Sequence, residues 1–516
     1  MSELYWSENL LIWGAGATSS LGIPTTARQE IFLTELFNKR EDIPIETYIQ
    51  KAFNTEGEEL QELVKIISFF KNREEQEFDD IPHYLKNEYD WETLEKVIKC
   101  CPKKKSTISL VDLYGILDLY LSENRGFSLM GEPISYNQLL NAKHLLILLI
   151  QLFFYCHYQK MLNKKMDILE QYYEFYKVLA VEMLEDGYDS FNDQPINDRG
   201  YYLFNYSIVS LNWDPILLWL IFNVHKDLND ENSFYVDSPP RKLKLFNDFG
   251  TFLGTRSVDK ELKIWYPFNE AVVQRINNRS SLTDKRVRIG KFYFPHGSSA
   301  WRECPHCGKL MMYMGEEWGY KSKSLMAPLP FKYFSNKFQP RTKQEQKWNN
   351  NQEYDAIECI FCGNKTTFKD TTMLIQSAFK GRNTSFIEEI QPDMRISFEK
   401  ANHIIFMGYS LPADDISYRS MLASRCQCKD GEEKKLKVTI VLYDAKADVK
   451  WYEGEELEMY LKKYSDSEAA QSITRIKEVL GEDTAIRAYL QGVPNVFLDS
   501  NKRISKEKVL NLINWN

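Results

Sequence analysis

Short apolar runs recur along the chain, separated by longer stretches in which apolar residues return every three or four positions. The runs are Asn9–Trp13 (NLLIW), Tyr206–Leu211 (YSIVSL), Lys291–Phe294, His403–Met407 (HIIFM) and Lys437–Tyr443 (KVTIVLY). Rich in β-branched and aromatic residues, and mostly ending at a turn or polar cluster, they read as strands buried on both faces. The stretches between them read as helices, for example Glu58–Phe70, Met166–Leu184, Glu455–Lys463 and Ala469–Leu480. Strands joined through helices predict an α/β fold built on a parallel sheet with helices on both faces. A final short strand is expected at Asn495–Leu498.

Two parts read as insertions into that α/β frame. A helical block occupies 31–200, and a cysteine-bearing module occupies 298–372. The frame itself is then 1–30, 201–297 and 373–500, with a C-terminal helix in 501–516. Within the block, Leu145–Cys156 (LLILLIQLFFYC) is the most apolar run. It is too short to span a bilayer and is interrupted by Gln151, so it reads as a buried helix and no membrane partner is expected. The N-terminus carries no basic-then-apolar export pattern, which points to a cytoplasmic protein.

A formal net charge of -8 argues against general phosphate-backbone binding, so nucleic acid is not an expected partner. Lys332, Lys337, Arg341, Lys343 and Lys347 concentrate positive charge between 331 and 354, and read as a solvated loop. Of the nine cysteines, four form two Cys-x-x-Cys pairs, a pattern that favours metal over disulfides in a chain without an export signal. Cys304, Cys307, Cys359 and Cys362, each pair followed by a glycine, form knuckles suited to a closed, structural zinc site. His306 reads as a bystander, and the Cys426-x-Cys428 pair as incidental.

The other chemistry-bearing residues sit at strand ends. Gly14-Ala15-Gly16 follows the first strand; such a turn lets backbone N–H groups approach a pyrophosphate, but serves equally as a plain strand–helix connection. Asn212 and Asp214 follow the second strand, and His296-Gly297 the third. Each alone fits a turn former or a structural histidine as well as a site residue.

The order of these motifs resembles the sirtuin family. GAGATSSLGIP at Gly14–Pro24 is similar to the sirtuin phosphate loop, and SLNWD at Ser210–Asp214 to the family's Thr-Gln-Asn-Ile-Asp. PHGS at Pro295–Ser298 resembles the catalytic His-Gly, followed at a short distance by the first cysteine pair. MGYSLPADD at Met407–Asp415 resembles the Gly-Thr-Ser segment on the adenosine side. The resemblance implies a Rossmann-like sheet with NAD as substrate and zinc as a structural metal. It implies that Asn212 holds the ribose and attacking water, that Asp214 faces the carboxamide, and that His296 is the base. Gly14, Ala15, Gly16, Thr18, Arg28, Gly408, Ser410 and Asp444 would bind the rest of the dinucleotide. The block 31–200 lies outside the resemblance.

Departures from the family pattern shift the implied activity. Where deacylases follow Gly-Ile-Pro with Asp-Phe-Arg, this chain reads Thr25-Thr26-Ala27-Arg28, so the aromatic shield over the sugar is missing. Trp213 replaces a small aliphatic residue, and Tyr443-Asp444 replaces Ile-Asn. These changes resemble divergent bacterial sirtuin-like proteins of anti-phage defence, which hydrolyse NAD. The expectation is an NAD glycohydrolase, homo-oligomeric and answering to an activating protein partner or phage component. A protein deacylase and a non-catalytic NAD or ADP-ribose sensor are the alternatives.

Overall fold

The computed structural model describes residues 7–38, 43–71, 78–104, 106–129, 131–189, 203–231, 234–236, 241–250, 253–256, 285–313, 319–322, 325–335, 341–374, 385–413, 415–425, 436–481 and 484–515. Lys337 and the Cys426–Cys428 pair lie outside the described residues.

Among the described residues, the main sheet has nine strands. In chain order they are β1 (Asn9–Trp13), β2 (Leu203–Ser210), β3 (Phe234–Val236), β4 (Arg241–Asp248), β5 (Lys285–Tyr293), β6 (His403–Met407), β7 (Lys437–Val441), β8 (Trp451–Glu453) and β9 (Ala485–Tyr489). Across the sheet the order is β8-β9-β7-β6-β1-β2-β5-β4-β3. Every neighbouring pair is parallel except the two at the edges, β8 with β9 and β3 with β4. The expected α/β sheet is present, and its strand order reverses between β1 and β6. Open parallel sheets form a crevice outside the carboxyl ends of their strands at such a point.

β1 is buried at every position, as a central strand should be, and its one polar residue, Asn9, donates to the Asn205 carbonyl at 3.2 Å. Four strands of this sheet, β3, β4, β8 and β9, escaped the hydrophobic pattern, and for two of them the reason is identifiable. β4 alternates Lys and Leu along RKLKLFND, and lies one strand in from the sheet edge. β9 (AIRAY) carries Arg487, whose guanidinium is buried between the rings of Trp451 and Trp515, 4.6 and 4.7 Å from their centroids. Its Nη2 donates to the Asn511 carbonyl at 2.6 Å. The strand expected at Asn495–Leu498 is instead a single 3₁₀ turn, Asn495–Phe497. Pro494 precedes it and the Asn495 amide donates back to the Gln491 carbonyl at 2.8 Å, so the backbone turns before it can extend.

Between β1 and β2, which pair side by side, lies the mainly helical block. Its longest members are Tyr136–Lys164 and Met166–Asp189. The first starts at a capping box, with Ser135 and Gln138 each satisfying the other's backbone N–H. It contains the run 145–156, buried throughout, so this helix, although long and apolar enough to cross a bilayer, is mostly packed inside the protein. The block shares one core with the sheet. Phe32 stacks on Phe153 at 4.2 Å, and Trp13 of β1 meets Tyr172 and Tyr176 at 6.0 and 5.8 Å.

A second, four-stranded sheet forms from Thr371–Met373, Gly297–Glu303, Leu310–Tyr313 and Leu253–Arg256, the last of which precedes β5 in the chain. The expected solvated loop within 331–354 contains a helix, Lys343–Asn350, nucleated by a capping box between Thr342 and Glu345. Glu345 is fully buried because its second role is to accept the Glu358 N–H at 2.8 Å.

Candidate functional site

Because β1, β2, β5, β6 and β7 are parallel, the loops after Trp13, Ser210, Tyr293, Met407 and Val441 leave the same edge of the sheet. Backbone hydrogen bonds carry the sheet's ladder past the strand ends and fix these loops to one another. The Gly14 N–H donates to the Met407 carbonyl, Gly408 to Val441, and Leu211 to Trp13, at 2.8–2.9 Å.

The glycines of the first loop are required by packing between loops. A Cβ at Gly14 would lie 2.6 Å from the Tyr409 Cβ, and one at Gly16 would lie 2.7 Å from the Gly408 carbonyl. Gly408 itself has φ 62°, and a Cβ there would meet the Ala17 nitrogen at 2.0 Å. Two 3₁₀ turns, Ala15–Ala17 and Ser19–Leu21, follow before the first α-helix starts at Thr26.

One cavity of about 940 Å³ opens where these loops meet. Gly14, Ala15, Gly16, Asn212, Asp214, His296, Gly408 and Ser410, drawn from four separate segments of the sequence, all line it. Thr18 lies beneath its wall, fully buried. Arg28 is half-buried and outside the lining, whereas its neighbours Ala27 and Gln29 are part of it; Asp444 is likewise outside, and Tyr443 forms the rim.

Polar contacts order the floor. The Asn212 amide donates to the Gly14 carbonyl at 3.2 Å and to the Thr18 hydroxyl at 3.3 Å; Thr18 in turn donates to Asp214 Oδ2 at 3.2 Å. With its N–H groups committed, Asn212 keeps a buried amide oxygen for which the described residues supply no donor. Gln29 presents a second such oxygen. Two buried acceptors without protein donors suit a ligand carrying hydroxyl or amide hydrogens.

Burial raises the Asp214 carboxyl from its ordinary value of 3.8 to about 6, against hydrogen bonds from Ile216 N, Thr18 and Asn212 that favour the charged form. His296 is held at both ring nitrogens. Nδ1 lies 3.0 Å from the Leu211 carbonyl, which can only accept, so Nδ1 carries the proton. Nε2 then accepts from the Tyr418 hydroxyl at 3.2 Å. Tyr418, on the helix Ile416–Arg425, is a residue that no local pattern singles out.

Trp213 rests on the cavity wall with its indole N–H donating to the Leu374 carbonyl at 2.7 Å. The helical block also contributes to the wall, through Phe154, Lys165, Asp167, Ile168 and Gln171. It grips the first loop as well: the Tyr172 hydroxyl bonds the Ala17 carbonyl and Ser20, and His157 Nδ1 donates to the Gly22 carbonyl at 2.9 Å.

The strand Gly297–Glu303 runs directly from His296 to the first cysteine knuckle. The Sγ atoms of Cys304, Cys307, Cys359 and Cys362 all lie within 4.8 Å of one another. The pairs Cys304–Cys362 and Cys307–Cys359 are 3.6 and 3.7 Å apart, far beyond a disulfide bond of ~2.05 Å. Each knuckle closes by the same hydrogen bond, Gly308 N to Cys304 O and Gly363 N to Cys359 O, both 2.8 Å. The four thiols could hold a metal ion; His306 is exposed and stands outside the group. Buried Arg302 fastens this module to its strand through the carbonyls of Asp355, Thr366 and Pro328 at 2.6, 3.3 and 2.8 Å.

No protein-family model and no curated protein matches this sequence.

Proposed function

We propose that the cavity binds NAD on a Rossmann-like sheet and cleaves it at the nicotinamide–ribose bond, with water as the acceptor. One observation carries the reading: Asn212 and His296, 84 positions apart in sequence, line the same cavity beside the Gly14–Gly16 loop, at the switch point of the sheet.

Breaking that bond builds positive charge on the sugar while a neutral base departs, so the site must orient the ribose and a water. The free Asn212 oxygen is an acceptor for a ribose hydroxyl or that water. His296, with Nδ1 protonated, has its basic nitrogen at Nε2 and can take a hydroxyl proton as charge develops. Asp214 stands in reach of the same floor, where a raised carboxyl can donate to a carboxamide oxygen or accept from its N–H. The N–H groups of Gly14, Gly16 and Ala17 are bonded to carbonyls, so the diphosphate would meet the first loop at its other lining residues, Ala15, Ser19 and Ser20.

The thiol cluster fits structural zinc. Tetrahedral Zn–S bonds of ~2.3 Å place sulfurs ~3.8 Å apart, close to the two distances found. All four ligands are thiolates, so the metal would complete the scaffold behind His296 and leave the reaction to the cavity.

Water is favoured over an acyl-lysine because Thr25, Thr26 and Ala27 line the cavity where an aromatic shield would otherwise stand. A role in anti-phage defence, in the cytoplasm and as a homo-oligomer under an activating partner, is the biological setting that fits a freely hydrolysing enzyme. The test is incubation of the purified chain with NAD, with and without an acetylated peptide, followed by chromatography. Nicotinamide and ADP-ribose formed without peptide support the proposal; peptide-dependent formation of O-acetyl-ADP-ribose replaces it with deacylation.

A further inference from the structure

A neutral imidazole has one lone pair with which to take a proton. In His296 that lone pair is on Nε2, and Nε2 is bonded to the Tyr418 hydroxyl. Tyr418 is buried to 2% exposure and is not among the described residues lining the cavity. The proton-accepting nitrogen is therefore engaged with the protein interior, while the ring itself contributes to the cavity wall.

The element bearing Tyr418 starts from a constrained loop. After Gly408, residues Tyr409, Ser410, Pro412 and Asp415 line the cavity, and the helix Ile416–Arg425 follows at once. Leu411, fully buried inside this loop, has φ 45°, a left-handed conformation that a branched side chain adopts only when its surroundings impose it. One external brace is Arg475 on the helix Glu468–Leu480, which donates to the Leu411 carbonyl at 3.1 Å and the Ser410 carbonyl at 3.2 Å. The Tyr409 hydroxyl bonds Asp415 and closes the loop on itself.

We infer that Tyr418 is a latch on His296: the loop residues 408–413 with Asp415, and the helix that follows, hold the base engaged in this conformation, and release of that contact frees Nε2 for the ligand. Leu411 is the point at which strain would be relieved on release, and Arg475 is the residue that keeps it in place. The inference rests on the proposed role of His296 as base and adds the restraint acting on it.

The experiment uses the full chain with Tyr418→Phe and, separately, Arg475→Gln. Diethyl pyrocarbonate acylates unprotonated imidazole, so its rate at His296, followed by peptide mass spectrometry, reads how free Nε2 is without any nucleotide. Nicotinamide release from NAD is measured on the same samples. Loss of the contact is expected to speed His296 acylation about tenfold, equivalent to ~1.4 kcal/mol, and to raise nicotinamide release in parallel. Unchanged or slower acylation in both folded variants overturns the latch. Faster acylation with reduced nicotinamide release also overturns it, since Tyr418 would then assist the base. Faster acylation with no nicotinamide from any of the proteins leaves the latch standing and removes NAD cleavage as the activity.

Discussion

The Thr18 hydroxyl lies 3.2 Å from Asp214 Oδ2, although 196 positions separate the two residues. Thr18 also accepts from Asn212, so one buried hydroxyl joins the first loop to both polar residues that follow β2. The relationship makes the loop and the site floor a single hydrogen-bonded unit.

That unit contains a carboxyl whose pKa rises on folding. Below about pH 4 Asp214 is protonated in both folded and unfolded chains and contributes no penalty. As pH rises through about 6 the folded chain must ionise a buried group, and stability is lost. The full effect is about 3 kcal/mol, at ~1.4 kcal/mol per pH unit. Asp214→Asn should therefore gain stability relative to wild type between pH 4 and 7, measured by urea denaturation at several pH values. A difference that stays flat across this range would show that burial does not govern this carboxyl.

Loop contacts make a second prediction. Gly408→Ala places a methyl group against the Ala17 nitrogen in a left-handed residue, and should cost about 3 kcal/mol or more while abolishing NAD binding. Gly22, also left-handed at φ 85°, has no neighbouring atom within 4 Å of where a Cβ would stand, so Gly22→Ala should cost only about 1 kcal/mol. Equal losses of thermal midpoint in the two variants would remove loop packing as the reason for Gly408.

The thiol cluster is tested by metal analysis. Purified protein should carry zinc, and Cys304→Ser or Cys359→Ser should lose it together with thermal stability. Because the strand from His296 runs into Cys304, nicotinamide release should fall in these variants even though no cysteine among the described residues lines the cavity. Full zinc content in either serine variant would contradict the ligand assignment.

Much of the fold, and most of the residues gathered in the candidate site, were legible because they obey local rules. β1 and β6 each carry four consecutive apolar residues after a polar first position, and the knuckles announce themselves by Cys-x-x-Cys-Gly. What escaped depends on tertiary partners. Arg487 disguises β9 because the two indoles and the carbonyl that neutralise its cost come from remote segments. Tyr418 occupies an ordinary helical position, and only the folded loop brings it to His296. The contribution of Lys165 and Gln171 to the cavity was equally hidden, since nothing local says which face of a helix in the block will meet the first loop.

Nicotinamide release from NAD by wild type, Asn212→Ala and His296→Ala tests the shared role of the amide and imidazole most directly. Wild type should release nicotinamide, and each variant should lose about 10²-fold or more, with circular dichroism unchanged. Release that persists at the wild-type rate in either folded variant would contradict it.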